Sequence, residues 1–351
     1  MTQNREQEHD TVYGKSFALY GRKEIEEFIA PLAERYSVNG IDPKATFSGK
    51  RCLDAGCGNG RGAIFMMNNG ASSLDTIDVS ATNISSTERN LELFGYKDFN
   101  CQQGSIEALP YDDETFDFVW CNGVIMHTAN PDSCLSELSR VLKVGGQAWV
   151  YVYGANGLYW YGIRRFREAL ADIDGNACLA ALQLMRYPVR HVAEFIDDWK
   201  TPYLRTYSAE DFGNRLRELG FADAALLKRG VIYDTSERRT MFADSKTWVG
   251  EGDLRYLLTK TAKAGPLKAP ISDSEYGSNV PFDKAIVERF KPLFDQAMNA
   301  AGTDPIPRIA LCAYIQKALR DLLSAEGDFD IDKVESEIKA ATTFSSQALQ
   351  S

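Results

Sequence analysis

The sequence predicts an α/β protein built on a doubly wound, mainly parallel sheet. Two observations carry this prediction: four strand-to-helix steps follow one another over residues 50–154, and a glycine-rich turn follows the first strand. Strands that alternate with helices in this way form parallel sheets with helices on both faces. Apolar residues make up 44% and charged residues 25% of the 351-residue chain, which are ordinary values for a globular protein.

Short runs of apolar, β-branched and aromatic residues predict the individual strands. In chain order they are "KRCLDAG", "LDTIDV", "FNCQQG", "TFDFVWCN" and "QAWVYVYG". The intervening helices end at glycines, as at Gly70, or begin with a proline, as at Pro131. A further strand is expected in 223–233, after a helix whose Ser208 and Asp211 have capping-box spacing.

Three regions outside this alternation are expected to be mainly helical. Residues 1–48 carry an amphipathic pattern, residues 155–200 form a helical, aromatic insert after the fifth strand, and residues 236–351 form a C-terminal extension. The sheet itself is assigned to residues 49–235, with the insert inside that range. The glycine–acid pattern in "WVGEGDLRY" is interpreted as a tight loop.

Charge and cysteine usage exclude several classes of protein. A net charge of −10 argues against a nucleic-acid binder, because phosphate neutralisation needs clustered Lys and Arg. No apolar run reaches the roughly 18 residues of a membrane span, and the polar start does not resemble a signal peptide. The seven cysteines contain no CxxC pair and the three histidines no cluster, so we expect a cytoplasmic protein without a metal site.

The glycine turn "RCLDAGCGNGRG" indicates that the backbone closely approaches a ligand. Its spacing is G-x-G-x-G, because Arg61 stands where the dinucleotide fingerprint has its third glycine. Asp54 precedes the first glycine by two residues, which suits a ligand with ammonium or sulfonium charge better than a pyrophosphate. Asp78 ends the second strand, where a carboxylate can accept both hydroxyls of a ribose.

Four stretches together resemble a known family: "LDAGCGNGRG", "TIDVS", "GSIEALPYDDETFDFVWCNGVIMHTANP" and "LSRVLKVGGQAWVYVYG". Their order and spacing are similar to those of class I S-adenosylmethionine (SAM)-dependent methyltransferases of the small-molecule type. The resemblance implies a seven-stranded, Rossmann-like sheet, SAM as the cofactor, and an N-terminal segment that folds over the cofactor as a lid.

The resemblance also implies which residues hold the cofactor. They are Asp54, Gly56, Cys57 and Gly58 at the methionine end, Asp78 at the ribose, Val79, Ser105 and Ile106 at the adenine, Asn122 and Gly123 at the fourth strand, and Tyr13 and Tyr20 in the lid. Ser105 departs from the family pattern, since many relatives carry Asp there, and this weakens the expected contact with the exocyclic amine.

Candidates for the chemistry lie just beyond the fourth and fifth strands. His127 is either a general base that acts on the acceptor or a residue that only packs against or caps the next helix. Tyr153 and Tyr159 are either cation–π partners of the sulfonium or core residues. Arg164, Arg165 and Arg205 are candidates for holding an acceptor carboxylate, although such residues are more often solvated.

Three functions remain open at this stage. The leading hypothesis is a methyltransferase that acts on a small molecule in an enclosed pocket completed by the lid and the insert. The second is a cyclase of the same fold, in which the amino group of SAM attacks its own γ-carbon to give azetidine-2-carboxylate and methylthioadenosine, with Asn122 or a tyrosine steering the amine. The third is a non-catalytic SAM-binding scaffold. The C-terminal helices are candidates for the pocket, a homodimer surface or a partner surface.

Overall fold

The computed structural model describes residues 10–222, 224–228, 249–265, 267, 271, 284–300, 302–324 and 330–348. It divides into two units, the first made of Met1–Gly154, Pro202–Val231 and Asp253–Glu275 and the second of Ala155–Thr201, Ile232–Gly252 and Tyr276–Ser351. The strands are β1 (Arg51–Ala55), β2 (Ser73–Asp78), β3 (Phe99–Gln103), β4 (Phe116–Asn122), β5 (Leu142–Tyr153) and β6 (Asp253–Thr259).

Among the helices of the described residues, three follow β1, β2 and β4 as predicted, whereas β3 leads directly to β4, so one of the four predicted strand-to-helix steps is absent there. The helices are α1 (Lys15–Phe17), α2 (Arg22–Val38), α3 (Pro43–Phe47), α4 (Arg61–Asn68), α5 (Ala81–Leu93), α6 (Pro131–Val141), α7 (Leu158–Ala169), α8 (Gly175–Leu184), α9 (Val189–Lys200), α10 (Ala209–Glu218), α11 (Lys284–Ala300), α12 (Pro305–Ser324) and α13 (Ile331–Ala348). A π-helical turn, Asp10–Gly14, precedes α1, and a 3₁₀ turn, Ile125–His127, follows β4.

The described part of the first unit contains a six-stranded mixed sheet in the order β3-β2-β1-β4-β5-β6. Strands β1 to β5 are parallel, and β6 runs antiparallel to β5. The strand order therefore reverses between β1 and β4, whose carboxyl ends lie side by side. In open α/β sheets this is the place where ligands bind.

Aromatic packing fixes one face of this sheet. Trp149 of β5 stacks on Trp120 of β4 with ring centroids 4.9 Å apart, and on Tyr36 of α2 at 5.5 Å. Phe47 and Phe65 complete this buried cluster. Several aromatic residues in and around the strands therefore fill the core.

Strand β6 corrects the prediction of a helical extension from residue 236. Leu254, Tyr256 and Leu258 are buried in the core of the first unit, so the segment has the two-residue period of a half-buried strand. The strand is short, directly follows the glycines of the loop and contains the continuous apolar run Tyr256 to Leu258, so its period is weak in the sequence. Instead of continuing a loop, "DLRY" thus supplies the edge strand of the described sheet.

The boundary between α6 and β5 also differs from the prediction. The sequence places the end of the helix at the glycine pair of "VLKVGG", whereas α6 ends at Val141 and β5 begins at Leu142. The ammonium group of Lys260 donates to the backbone oxygens of Ser139 and Leu142, both at 2.7 Å, and so satisfies carbonyls at the end of the helix.

The prediction of a seventh strand falls mostly outside the described residues. Within 224–228, Leu226 forms an antiparallel bridge with Tyr256 of β6, and the Leu227 N–H donates to the carbonyl of Arg255 at 2.9 Å. The expected strand in 223–233 therefore begins to pair with β6 where the structure describes it. Six strands are established in the described part of the chain, and the seventh stays a prediction.

The second unit combines the insert with the C-terminal helices, which the sequence had assigned to different regions. Its described residues form α7 to α9 and α11 to α13, so the helical patterns predicted for both regions are confirmed. Gly162 allows close packing, since a Cβ there would lie 3.0 Å from the ring of Phe294. A homodimer surface on these helices stays a prediction.

Neither a membrane-spanning helix nor a metal-binding cluster occurs among the described residues. None of the helices there is long and apolar enough to cross a membrane. The same residues contain no group of three or more His, Cys, Asp or Glu side chains that could hold a metal ion.

Candidate functional site

The glycine turn after β1 has a backbone that only glycine adopts readily. Gly56, Gly58 and Gly60 have φ values of +83°, +57° and +83°. A Cβ on Gly56 would lie 2.5 Å from the side chain of Val124, and one on Gly58 would lie 2.9 Å from the ring of Phe17. The turn is therefore closely surrounded, and the three glycines are needed for both conformation and space.

Helix α5 holds this turn in place through two buried polar side chains. The hydroxyl of Thr87 lies 3.0 Å from the carbonyl of Gly58, to which it donates, and 3.3 Å from the Sγ of Cys57. The amide of Asn90 donates to the carbonyl of Asn59 at 2.9 Å. Neither residue was predicted from the sequence to support the turn. The signal that could have indicated them is their polar character on the inward face of an amphipathic helix.

Asp78, at the end of β2, is tied directly to the glycine turn. Its carboxylate accepts hydrogen bonds from the N–H of Gly58 (2.9 Å), the N–H of Ser80 (2.9 Å) and the Nδ2 of Asn83 (3.1 Å). Burial raises the pKa of Asp78, and these three donors act in the opposite direction. The carboxylate is thus held in one orientation at the carboxyl edge of the sheet, where the sequence predicted it.

Asp54 is a second buried carboxylate, located in β1 just before the turn. It is only 2% exposed, and its Oδ2 has no hydrogen-bond partner among the described residues. Burial raises the pKa of Asp54 to about 7, although the N–H of Ala63 and the charge of Arg61 lower it. An oxygen that is buried without a donor is costly, and a cationic ligand would stabilise it.

The N-terminal segment contacts these residues, and its role as a lid stays a prediction. Ser80 donates from its hydroxyl to the carboxylate of Asp10 at 2.6 Å. The rings of Tyr13 and Phe17 lie 5.9 Å apart, and those of Phe17 and Tyr20 lie 6.0 Å apart. Since Phe17 also approaches Gly58, the aromatic residues of the segment reach the glycine turn.

His127 follows β4 at the same edge of the sheet and is 3% exposed. Its Nδ1 lies 2.8 Å from the backbone oxygen of Tyr203. A carbonyl oxygen only accepts, so Nδ1 carries the proton, and in the neutral imidazole Nε2 is then the acceptor atom. The rings of Tyr153 and Tyr13 lie 5.4 Å and 5.9 Å from the ring of His127, so the structure brings these three predicted residues together.

The residues predicted at the adenine lie around the ends of β2 and β3. The backbone oxygen of Val79 accepts from the side-chain amide of Gln103 at 3.0 Å. Ser105 is exposed, and its hydroxyl accepts from the N–H of Glu107 at 3.2 Å, while Ile106 is buried. Ser105 therefore organises a turn, and its role at an adenine stays a prediction.

Asn122 and Gly123 lie at the end of β4, as predicted. The side-chain oxygen of Asn122 accepts from the indole N–H of Trp149 at 2.9 Å. The N–H of Gly123, whose φ is +78°, donates to the carbonyl of Tyr151 at 3.1 Å. The oxygen of Asn122 thus already has a donor, which leaves its amide nitrogen as the group that could face a ligand.

Tyr159 belongs to the second unit, and its contacts there point to a structural role. Its hydroxyl donates to the Oδ2 of Asp198 at 3.3 Å, and Gln316 donates to the same oxygen at 2.5 Å. Burial raises the pKa of the Tyr159 hydroxyl. Arg165, another candidate in this unit, forms ion pairs with Glu168 and Asp295.

A family model described as a methyltransferase domain matches residues 53–150. The matched residues run from within β1 to within β5 and include the glycine turn. The match covers the turn, Asp54 and Asp78 in the arrangement described above. This domain belongs to the class I SAM-dependent methyltransferase superfamily. The cofactor of the domain is accordingly SAM, as the sequence predicted.

Curated relatives of this methyltransferase domain alkylate different kinds of atom. The chain is 31% identical over 103 residues to a sarcosine/dimethylglycine N-methyltransferase of Aphanothece halophytica, and this match covers 28% of this chain and 36% of that protein. It is 34% identical over 117 residues to a ubiquinone/menaquinone biosynthesis C-methyltransferase of Xylella fastidiosa, covering 32% and 46%. It is 31% identical over 166 residues to a fatty-acid O-methyltransferase of Mycolicibacterium smegmatis, covering 44% and 58%.

Each of these curated relatives is matched over only part of its length. The chain spans between 36% and 58% of the three curated relatives. Among solved structures, a putative methyltransferase from Bacillus halodurans matches with a TM-score of 0.41 and 17% identity, over 65% of this chain and 95% of that one.

Proposed function

We propose that this protein transfers the methyl group of SAM to a small-molecule acceptor. The observation that carries the proposal is the buried link between the Asp78 carboxylate and the N–H of Gly58, with the second carboxylate of Asp54 beside the turn. A fixed acceptor for ribose hydroxyls and an anionic oxygen without a donor fit the two ends of a cationic nucleoside.

The chain's residues divide the work of binding. Asp78 would accept the ribose hydroxyls, and Val79, Ser105 and Ile106 would lie at the adenine. Asp54, Gly56, Cys57 and Gly58 would receive the methionine end, where the negative charge of Asp54 would compensate the positive charge of the ligand. Asn122 and Gly123 would close the site from β4, while Tyr13 and Tyr20 would cover it from the N-terminal segment.

SAM supplies a methyl carbon that is already activated by its sulfonium, so the protein's main tasks are positioning and the exclusion of water. His127 accepts a proton from a hydroxyl or ammonium acceptor through Nε2, because Nδ1 is protonated against the carbonyl of Tyr203. The rings of Tyr13 and Tyr153 lie against the imidazole and keep water away from it.

A small acceptor is favoured by the acidic charge of the chain and by its curated relatives. The net charge of −10 opposes binding to nucleic acid. The names of these relatives refer to sarcosine and dimethylglycine, to fatty acids, and to the biosynthesis of quinones, and all of these compounds are small molecules.

The test is to incubate the protein with methyl-labelled SAM, alone and with fractions of a metabolite extract, and to follow products by liquid chromatography–mass spectrometry. We expect SAM to survive alone and S-adenosylhomocysteine to appear together with a labelled product in some fractions. The Asp78→Asn variant is the control and should release none.

Two other outcomes would contradict the proposal. If methylthioadenosine and an equimolar small amino acid form from SAM alone, the protein is the cyclase of the second hypothesis. If SAM binds but no fraction supports turnover, the scaffold hypothesis is favoured.

A further inference from the structure

The segment Pro202–Tyr207 connects the ends of β4 and β5 in the first unit. The N–H of Arg205 donates to the carbonyl of Met126 at 3.2 Å, and the N–H of Tyr207 donates to the carbonyl of Tyr153 at 2.9 Å. The same segment carries the Tyr203 oxygen that accepts from His127. It therefore determines the surroundings of the imidazole, although it is distant from His127 in sequence.

The guanidinium of Arg205 holds this segment against the turn that follows β4. It donates to the backbone oxygens of Thr128 and, at 3.2 Å, of Ala129. Its carbon lies 4.7 Å from the centroid of the Tyr203 ring. All of these partners are neutral, so Arg205 serves here as a clamp on two carbonyls and a ring. The sequence analysis had considered it as a partner of an acceptor carboxylate.

These contacts fix both sides of one hydrogen bond. Thr128 and Ala129 directly follow His127 in the chain, and Tyr203 lies two residues before Arg205. Arg205 thus ties the donor's backbone to the acceptor's segment. Without the guanidinium, only the backbone hydrogen bonds of Arg205 and Tyr207 hold the segment, so the Tyr203 carbonyl is less firmly kept at hydrogen-bond distance from Nδ1. The tautomer of the imidazole follows the hydrogen bond that the ring makes.

We propose that Arg205 is a positioning residue for His127: it keeps the Tyr203 carbonyl on Nδ1, and so maintains Nε2 as the proton-accepting atom. The value of this arrangement for catalysis rests on the proposed function, in which His127 takes a proton from the acceptor. The arrangement itself does not depend on any substrate.

Nitrogen-15 NMR of the histidine rings tests this directly in the full chain. With three histidines in the chain, the His127 signals can be assigned from a His127→Gln variant. We expect the wild type at neutral pH to show the Nδ1–H pattern. In Arg205→Ala, the ratio of the Nδ1–H to the Nε2–H tautomer should fall roughly fivefold, which is the effect of losing one ordinary hydrogen bond.

Two further variants complete the experiment. Arg205→Lys keeps a cation but not the fork that reaches two carbonyls, so its ratio should be intermediate. Arg217→Ala is the matched control, because Arg217 is exposed on α10 and donates to Asn214 at 2.8 Å, away from these contacts. Its His127 signals should be those of the wild type.

The proposal is overturned if the wild type shows the Nε2–H tautomer, or if folded Arg205→Ala keeps the wild-type ratio. If Arg205→Ala does not fold, Arg205→Lys decides between the same two outcomes. Once an acceptor is known, Arg205→Ala should lower kcat and change the pH profile while leaving the dissociation constant of SAM unchanged. Absence of turnover with any acceptor would refute the proposed function but would leave the tautomer measurement valid.

Discussion

Replacing Asp54 by Asn should make the SAM-free protein more stable at pH 8 and weaken its affinity for SAM. Asp54 is 2% exposed, and its Oδ2 lacks a donor among the described residues, so the ionised carboxylate is kept at a cost to folding. Asparagine has the same shape without the charge. The opposite signs of the two expected effects separate a cofactor-binding carboxylate from one that only supports the fold.

The pH dependence follows from the direction of the pKa shift. Burial raises the pKa of Asp54 from 3.8 to about 7, so between these values the native state binds more protons than the unfolded state. The stabilisation that this group contributes is therefore complete below its pKa in the unfolded chain, 3.8, and is lost as the pH rises through its pKa in the folded protein, about 7. The change in pKa corresponds to roughly 4 kcal/mol above pH 7, as an upper limit.

Urea unfolding of the ligand-free protein at pH 5 and pH 8, followed by tryptophan fluorescence, measures this effect. The transition that SAM shifts identifies the unit that contains Asp54. Relative to the wild type, Asp54→Asn should gain up to about 4 kcal/mol at pH 8 and clearly less at pH 5. By titration calorimetry, SAM binding should weaken about 10- to 100-fold, which is typical of a lost charged partner.

The matched control is Asp75→Asn on the neighbouring strand β2. Asp75 is also buried, but its carboxylate pairs with Arg51 at 3.1 Å and accepts from Asn100 at 3.1 Å. Its replacement should not stabilise the protein at any pH and should leave SAM binding intact. The reasoning about Asp54 would be refuted if Asp54→Asn were destabilised at pH 8, or if its gain did not increase with pH.

Three further substitutions test other parts of the account. Gly58→Ala should lower the free energy of unfolding by about 1–2 kcal/mol because the residue has a positive φ. It should also abolish SAM binding, since the new methyl group would press on Phe17. The control is Gly95→Ala, where φ is +88° and no atom lies within 4 Å of the new methyl group, so that only stability should fall. Tyr159→Phe should lower the free energy of unfolding by about 1–3 kcal/mol and leave the dissociation constant of SAM unchanged, and a change in SAM affinity would argue against its structural role. His127→Gln should reduce acceptor-dependent turnover by about 100-fold or more without affecting SAM binding, and a wild-type rate would exclude the base.

The parts of the fold that the sequence predicted are those encoded by local patterns. Strands β1, β2 and β4 are each followed by a helix whose ends carry glycine, proline or capping residues, and each signal lies within a few residues of the element it defines. The glycine turn and Asp78 were predicted for the same reason. Strand β6 was missed because it is short, follows a glycine-rich stretch and contains the continuous apolar run Tyr256 to Leu258, so its period is clear only once it pairs with β5.

The parts of the site that the sequence did not predict depend on long-range contacts. The tautomer of His127 is set by a backbone oxygen 76 residues away, and a backbone carbonyl has no signature in the sequence. The hydroxyl of Tyr159 donates to a carboxylate 39 residues away, a contact that no local pattern in the sequence indicates. Thr87 and Asn90 support the glycine turn from α5, and only the packing of that helix reveals it.

The most direct test of the central claim is titration calorimetry of SAM with the wild type and Asp78→Asn, with Asp75→Asn as the control for loss of a buried carboxylate. The account predicts binding to the wild type and to Asp75→Asn. It also predicts a loss of about 100-fold or more in Asp78→Asn, because the negative charge and one of the two oxygens that would accept the ribose hydroxyls are removed. Folded Asp78→Asn that binds SAM as tightly as the wild type would contradict the assignment of this site.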